Sequence, residues 1–166
     1  MRFIEDKLIF ISKIRNYADN NKKILACIDG LNDKGLSSTN EQITKTDWDS
    51  VNSKKDYFFH IDWDVDKHLE KQCAILGANE AEIDKVWYQQ YRTNSSHGWH
   101  THAGAHFSNV YFVECKKGQQ TEFKNFDIEV EEGDLISFPA FLPHRSKEII
   151  DSRKTVIAFN TQIHGL

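Results

Sequence analysis

Four of the eight histidines in this 166-residue chain fall within ten residues, at His97, His100, His102 and His106. His100 and His102 form a His-x-His pair, and in a β-strand residues two apart point to the same face. Both imidazoles could therefore converge on one metal ion. The spacing predicts a metal site built on this pair.

A third ligand has to come from elsewhere in the chain, and His144 is the candidate. It follows an extended run, GDLISFPAFLP, that enters a turn marked by two prolines. Neutral imidazoles suit iron(II), zinc, copper or nickel, and three of them on one face leave coordination positions open. Of the other clustered histidines, His106 is a candidate fourth ligand or pocket residue, whereas His97 is expected to face elsewhere.

The strands that must position these histidines lie in the second half of the chain. After about residue 85, short runs rich in Val, Ile, Tyr and Phe alternate with Gly, Asn or charged clusters, which is typical of an antiparallel β domain. The runs are VWYQQYRT, FSNVYFVE, TEFKNFDIEV, DLISFP and TVIAFNTQI. We therefore predict a mainly β (α+β) fold for this chain.

The first 85 residues are expected to form a flank of helices and loops packed on the β core. Apolar residues at three- and four-residue steps favour a helix from residue 4 to about 26, and Asp66 to Leu76 reads as a second helix ending at Gly77. The remaining predictions are a long polar loop over 29–46, an edge strand over 57–63 and a turn over 80–84. We predict one domain, residues 1–166, in which 1–85 is the flank and 86–166 the core.

Composition excludes several classes of function. A net charge of -4 and a pI near 6.0 provide no basic field for phosphates, so no nucleic-acid partner is expected. No apolar run approaches the length of a membrane span, and no signal peptide is evident. Three cysteines without a CxxC pair indicate neither a disulfide framework nor a cysteine zinc site, so we expect a cytoplasmic protein.

The second half resembles the iron(II)- and 2-oxoglutarate-dependent oxygenases, in particular a small bacterial and phage branch. The resemblance covers about residues 86 to 163. It rests on Tyr91 nine residues before His100, HTH at 100–102, SNVYFVE at 108–114, EEGDLISFPAFLPHR at 131–145 and RKTVIAFN at 153–160. It implies a double-stranded β-helix, a cupin-like jelly roll, with N-terminal flanking helices.

The resemblance also implies the ligands of the metal. Members of the family hold iron with an HxD or HxE pair and a distal histidine, and here His100, His102 and His144 match those positions. His102 stands where most members have a carboxylate. Three neutral imidazoles leave the full charge of the metal ion in place, which should favour binding of a dianionic chelator.

A site for 2-oxoglutarate follows from the same resemblance. Arg153 with Thr155 matches the R-x-S/T pattern of the arginine that binds the distal carboxylate, and a guanidinium pairs bidentately with such a group. Arg145 and Lys154 are alternatives that the turn or the strand parity disfavours. Tyr91 matches a tyrosine that often donates its hydroxyl to that carboxylate. Further candidates for the pocket are His106, Asn109 and Tyr111.

The implied activity is that of a dioxygenase. Its cofactors would be Fe(II), the cosubstrate 2-oxoglutarate and O2, with ascorbate a possible addition, and the products would include succinate, CO2 and a hydroxylated C–H position. No catalytic side chain is expected beyond the metal centre. The substrate is a small molecule or a peptide, and the chain is a monomer or a homodimer.

Two other interpretations fit parts of the sequence. A cupin also places HxH motifs on a jelly roll, and it could be a metal-dependent dioxygenase, an isomerase or a non-catalytic metal-binding module. A metal-stabilised binding module would use the histidines structurally and close the coordination sphere. Neither alternative requires Arg153-x-Thr155 or Tyr91, and both features therefore favour the oxygenase.

Overall fold

Most of the chain is built from strands. The computed structural model describes residues 1–50 and 54–165, and these form twelve strands and two α-helices. The strands are β1 Arg2–Ile4, β2 Ile9–Lys13, β3 Leu36–Ser37, β4 Glu41–Ile43, β5 Lys45–Thr46, β6 Glu80–Tyr91, β7 Ser96–His100, β8 Phe107–Glu114, β9 Glu122–Phe123, β10 Asp134–Pro139, β11 His144–Ser146 and β12 Lys154–His164. The helices are α1 Tyr17–Asp29 and α2 Asp62–Leu76.

The strands form two antiparallel sheets. The large sheet has the order β1-β2-β10-β8-β12-β6-β5, and the small sheet has the order β3-β4-β7-β11-β9. Strand β12 is an interior strand of the large sheet and pairs with both β6 and β8. This arrangement of two sheets agrees with the predicted jelly roll.

The large sheet is buried on both faces. Ile157 and Phe159 of β12 pack under α1 and α2, in a core that also holds Ile24 and Leu69 of those helices. Val156, on the same strand, contributes to a second core between the sheets. Burial on both faces explains why the central strands are almost continuously apolar in sequence. None of the helices in the described residues is long and apolar enough to span a bilayer.

The N-terminal segment differs from its predicted helix. Residues 2–13 form β1 and β2 around a short 3₁₀ turn, and α1 begins only at Tyr17. Ile9, Phe10 and Ile11 are all buried, so β2 is covered on both faces. An apolar run of this kind fits a buried strand as well as a helix, and the helical prediction was wrong for its first half.

The other segments of the flank also contain more regular structure than predicted. The predicted loop over 29–46 contains β3, β4 and β5, and residues 57–63 form a 3₁₀ turn and the start of α2 rather than an edge strand. The predicted turn over 80–84 belongs to β6. Helix α2 ends as predicted before Gly77, whose φ of +73° is readily adopted only by glycine.

The predicted division near residue 85 is not a break between structural layers. Strand β6 runs through residue 85, and strands from the first half complete both sheets. In the second half β8, β10 and β12 match the predicted runs, whereas only Glu122–Phe123 is extended in the run over 121–130. The single domain remains a prediction, and its last residue, 166, lies outside the described part.

Candidate metal centre and its cavity

Three histidines converge at one end of the small sheet. His100 ends β7, His102 follows two residues later, and His144 begins β11 directly opposite His100 in the antiparallel pairing. One ring nitrogen from each residue lies within 4.8 Å of the other two, a spacing that allows them to hold one metal ion. The predicted set of ligands is thus brought together, although no single strand supplies it.

Backbone carbonyls determine which ring nitrogen is free. Nδ1 of His100 lies 2.8 Å from the carbonyl of Gly98, and Nδ1 of His144 lies 2.9 Å from that of Leu142. A carbonyl oxygen only accepts, so each Nδ1 must carry the proton and donate it. Nε2 of both rings is therefore left unprotonated and available to a metal, an orientation typical of histidine ligands.

Burial keeps the imidazoles neutral. Desolvation lowers the pKa of His144 to about 3 and that of His102 to about 4, and it also lowers the pKa of His100. Neutral imidazole is the form that binds metal. The donor set therefore fits a divalent transition-metal ion such as Fe(II) or Zn(II).

His97 lies beside the three histidines but is not one of the converging group. Its ring stacks on that of His100, with 3.7 Å between the ring centroids, and its Nε2 lies 3.5 Å from a carboxylate oxygen of Glu41. From its spacing in the sequence, this side chain was expected to face elsewhere. The structure instead puts it in the wall of the cavity, in contact with a candidate ligand.

The three histidines open into a cavity of about 270 Å³ between the two sheets. Its wall includes residues from both sheets and from the loops that connect their strands. Besides the three histidines, the lining residues include Trp48, Trp87, Tyr91, His97, Asn109 and Lys154.

Lys154 places a positive charge inside this cavity. Its side chain is 2% exposed, and its Nζ donates to Ser146 Oγ at 2.9 Å and lies 5.4 Å from the centre of the Tyr91 ring. No carboxylate pairs with it among residues 1–50 and 54–165. Burial lowers the pKa of Lys154 to about 8, so the ammonium form still predominates at neutral pH.

Arg153 and Thr155 lie on the face of the large sheet opposite to the one that carries Lys154. Arg153 makes a bidentate pair with Glu114, both contacts being 2.8 Å, and Thr155 donates to the same carboxylate at 2.7 Å. Neither residue lines the cavity. The side chains alternate as expected. The face turned towards the histidines carries Lys154, however, and not Arg153.

The other candidates also divide between cavity and core. Tyr91 and Asn109 line the cavity. Tyr111 packs in the core under the helices and donates to Asn21 Oδ1 at 2.5 Å. His106 is exposed, and its Nδ1 accepts the backbone N–H of Ile163 at 2.8 Å. Tyr111 and His106 are therefore not brought into the cavity.

The two tryptophans of the cavity, Trp48 and Trp87, were not among the residues predicted for the site. Trp87 precedes Tyr91 by four residues on β6, so the alternation of side chains could have placed both on one face. Trp48 lies in a loop and had no such signal. His68 was likewise outside the predicted site; it is 1% exposed, and its ring nitrogens lie 2.8 Å from the hydroxyl of Ser12 and 2.7 Å from that of Ser137.

Comparison with known proteins gives matches by structure only. No model of a known protein family matches the sequence, and a search of the curated proteins finds no match. Solved structures do match. A viral collagen prolyl hydroxylase from Paramecium Bursaria Chlorella virus-1, in a 2OG complex, has a TM-score of 0.66 at 11% identity, covering 94% of this chain and 97% of that one.

Two further prolyl hydroxylases give similar values. A prolyl-4-hydroxylase from Pseudomonas putida has a TM-score of 0.62 at 14% identity, covering 96% of this chain and 94% of that one. An enzyme from Trichoplax adhaerens, in complex with a hypoxia inducible factor peptide fragment, has a TM-score of 0.67 at 16% identity, covering 92% and 82%. The predicted fold is confirmed: the chain has the double-stranded β-helix of the 2OG-Fe(II) oxygenases.

Proposed function

We propose that this chain is an Fe(II)- and 2-oxoglutarate-dependent dioxygenase that hydroxylates a C–H bond of its substrate. The observation that carries the proposal is the presence of two complementary groups in one cavity. Three neutral histidines can hold a metal ion, and a buried lysine without a carboxylate partner among the described residues can receive an anion. A diacid that chelates metal through one end satisfies both groups.

In this proposal His100, His102 and His144 hold Fe(II), and Lys154 binds the distal carboxylate of 2-oxoglutarate. When bound, the iron supplies the activation of O2 that is coupled to oxidation of the cosubstrate to succinate and CO2. A buried ammonium favours an ionised carboxylate strongly because water competes poorly in the cavity. Tyr91, whose ring lies next to Lys154, completes the wall at that end.

The charge of the site agrees with a dianionic cosubstrate. With His102 in the position of a carboxylate, the ligands contribute no negative charge, so the metal ion keeps both of its positive charges. Lys154 adds a third positive charge inside the same cavity. We therefore expect 2-oxoglutarate to bind more tightly than it would at a centre with one carboxylate ligand.

We further propose a peptide as the primary substrate and a prolyl residue as its target. The support is the fold, because three of the matching solved structures are prolyl hydroxylases and one of these holds a peptide fragment. A small molecule remains the alternative. Succinate release with a blocked proline-rich peptide, measured against release without it, distinguishes coupled turnover from the uncoupled reaction.

Anaerobic titration tests the proposed function directly. Addition of Fe(II) and then 2-oxoglutarate should produce the visible metal-to-ligand charge-transfer absorption of the chelate. Lys154→Ala should weaken 2-oxoglutarate binding by about tenfold or more, because it removes a charge-assisted contact, while leaving metal binding intact. If saturating 2-oxoglutarate gives no such absorption in the wild-type protein, the oxygenase is excluded and a cupin-type function is favoured.

A further inference from the structure

Trp87 carries a hydrogen-bond donor that has no partner among residues 1–50 and 54–165. Its side chain is 3% exposed, and Nε1 finds no acceptor within the described part of the chain. Buried polar groups in folded proteins are nearly always paired, so an unpaired indole N–H in the wall of a cavity points to an acceptor brought by a ligand.

The pairing of β6 with β12 locates Trp87 relative to Lys154. Tyr91 is opposite Lys154, Gln89 is opposite Val156, and Trp87 is opposite Ala158. Four residues along a strand correspond to about 13 Å, which is much longer than an extended five-carbon diacid. The distal carboxylate of a cosubstrate held at Lys154 is therefore far from Trp87, and only the end that chelates the metal approaches this residue.

The Trp87 ring lies beside the candidate metal ligand His102. Its ring centre is 5.9 Å from that of His102, and Trp48 packs against it edge to face at 4.6 Å. An aromatic wall therefore runs from the candidate metal ligand His102 through Trp87 to Trp48, which is partly buried. Such a wall favours contact with uncharged, C–H-rich groups.

We propose that Trp48 and Trp87 form the subsite for the primary substrate, and that the Trp87 indole N–H donates to a backbone carbonyl oxygen of a peptide. This inference rests on the proposed function and names the residues that would select its substrate. A peptide supplies both required features, an uncharged side chain against the aromatic wall and a carbonyl acceptor next to it. The side chain of Trp48 has to shift to admit that oxygen, because it packs directly against Trp87.

Indole ¹⁵N–¹H spectra of the Zn(II)-loaded protein test the assignment. The four tryptophans give four indole resonances, and that of Trp87 is identified by its loss in Trp87→Phe. We expect 2-oxoglutarate to leave this resonance in place, and a blocked proline-rich peptide of about ten residues to move it downfield. Movement with 2-oxoglutarate alone would assign the donor to the cosubstrate and overturn the proposal.

Affinity measurements provide a second test. Trp87→Phe keeps a ring and removes the N–H, so peptide affinity should fall about fivefold to tenfold while 2-oxoglutarate affinity stays within about twofold. Trp63→Phe, at an exposed site on α2, is the matched control and should change neither affinity. Equal peptide affinity of the wild type and Trp87→Phe would contradict the proposal.

The two proposals fail in different ways. If the metal-loaded protein does not bind 2-oxoglutarate but the peptide still shifts the Trp87 resonance, the proposed function is wrong and the subsite stands. If 2-oxoglutarate binds and no peptide does, the oxygenase stands and the peptide subsite is wrong. A peptide with alanine in place of proline keeps the backbone carbonyl oxygen but lacks the pyrrolidine ring. It therefore separates recognition of the peptide backbone from recognition of the proline side chain.

Discussion

Arg153 and Lys154 are neighbours in sequence, yet their charged groups lie on opposite faces of the large sheet. The guanidinium of Arg153 pairs with Glu114 at 2.8 Å and with Asp29 at 3.2 Å, whereas the ammonium of Lys154 lies in the cavity with the three histidines. One residue therefore serves the stability of the sheet, and the other faces the candidate site.

Replacement of Arg153 should affect stability and not cosubstrate binding. Arg153→Ala leaves the carboxylate of Glu114, which is 24% exposed, with Thr155 as its remaining partner, so the free energy of unfolding should fall by about 1 kcal/mol. Urea denaturation measures the loss, and titration with 2-oxoglutarate should give an unchanged dissociation constant. A loss of affinity like that of Lys154→Ala would restore Arg153 as the anion-binding residue.

The affinity for 2-oxoglutarate should depend on pH through Lys154. Burial lowers its pKa to about 8, so the ammonium that attracts the carboxylate is lost as the pH rises through 8. The dissociation constant should therefore increase above pH 8, by at most about tenfold per pH unit. Lys154→Arg keeps a charged group at high pH and should flatten this dependence. An equally steep rise in that variant would assign the titration to another group.

Metal binding should depend on three histidines and not on a fourth. Alanine at His100, His102 or His144 removes one of the converging ligands, and calorimetric titration with Zn(II) should then show binding weakened by at least about tenfold. His97→Ala is the control, because this ring is in the same cavity but outside the converging group. A comparable loss in His97→Ala would show that His97 binds the metal.

The stability of the protein should fall at acid pH partly because of His68. Burial lowers its pKa to about 3, so between pH 6.5 and 3 the unfolded chain takes up a proton that the folded chain does not. The free energy of unfolding should therefore decrease as the pH falls below 6.5, by up to about 1.4 kcal/mol per unit from this residue.

His68→Gln tests this dependence, since the variant keeps a polar side chain but does not titrate. Its stability should be lower than that of the wild type at pH 7.5 and should fall less steeply between pH 6.5 and 5. The slope of the wild type, measured under the same conditions, is the reference. If His68→Gln also keeps that slope, other histidines account for the acid sensitivity.

Some features of the fold and of the candidate site could be predicted from local spacing alone. His100 and His102 are two residues apart, and the long apolar runs of β8 and β12 can be recognised without knowing their neighbours. The predicted fold followed from those runs together with the family resemblance. The third histidine, His144, comes from another strand, and its choice depended on the extended run that precedes it together with that resemblance.

The predictions that failed needed information from the assembled sheets. Alternation separates Arg153 from Lys154 but does not say which of the two faces is turned inwards. β2 is apolar on both sides because β10 pairs with it and both faces are covered, which its own sequence cannot reveal. Trp87 and Trp48 meet only through tertiary packing.

The position of β12 has a consequence for how the protein is made. Its two partners, β6 and β8, are synthesised before it, so a nascent chain that has reached residue 150 holds both strands without the one that joins them. Until β12 emerges from the ribosome, the unpaired backbone N–H and C=O groups on the edges of β6 and β8 are open to pairing with other chains. Soluble expression should therefore be most sensitive to substitutions that slow the insertion of this strand.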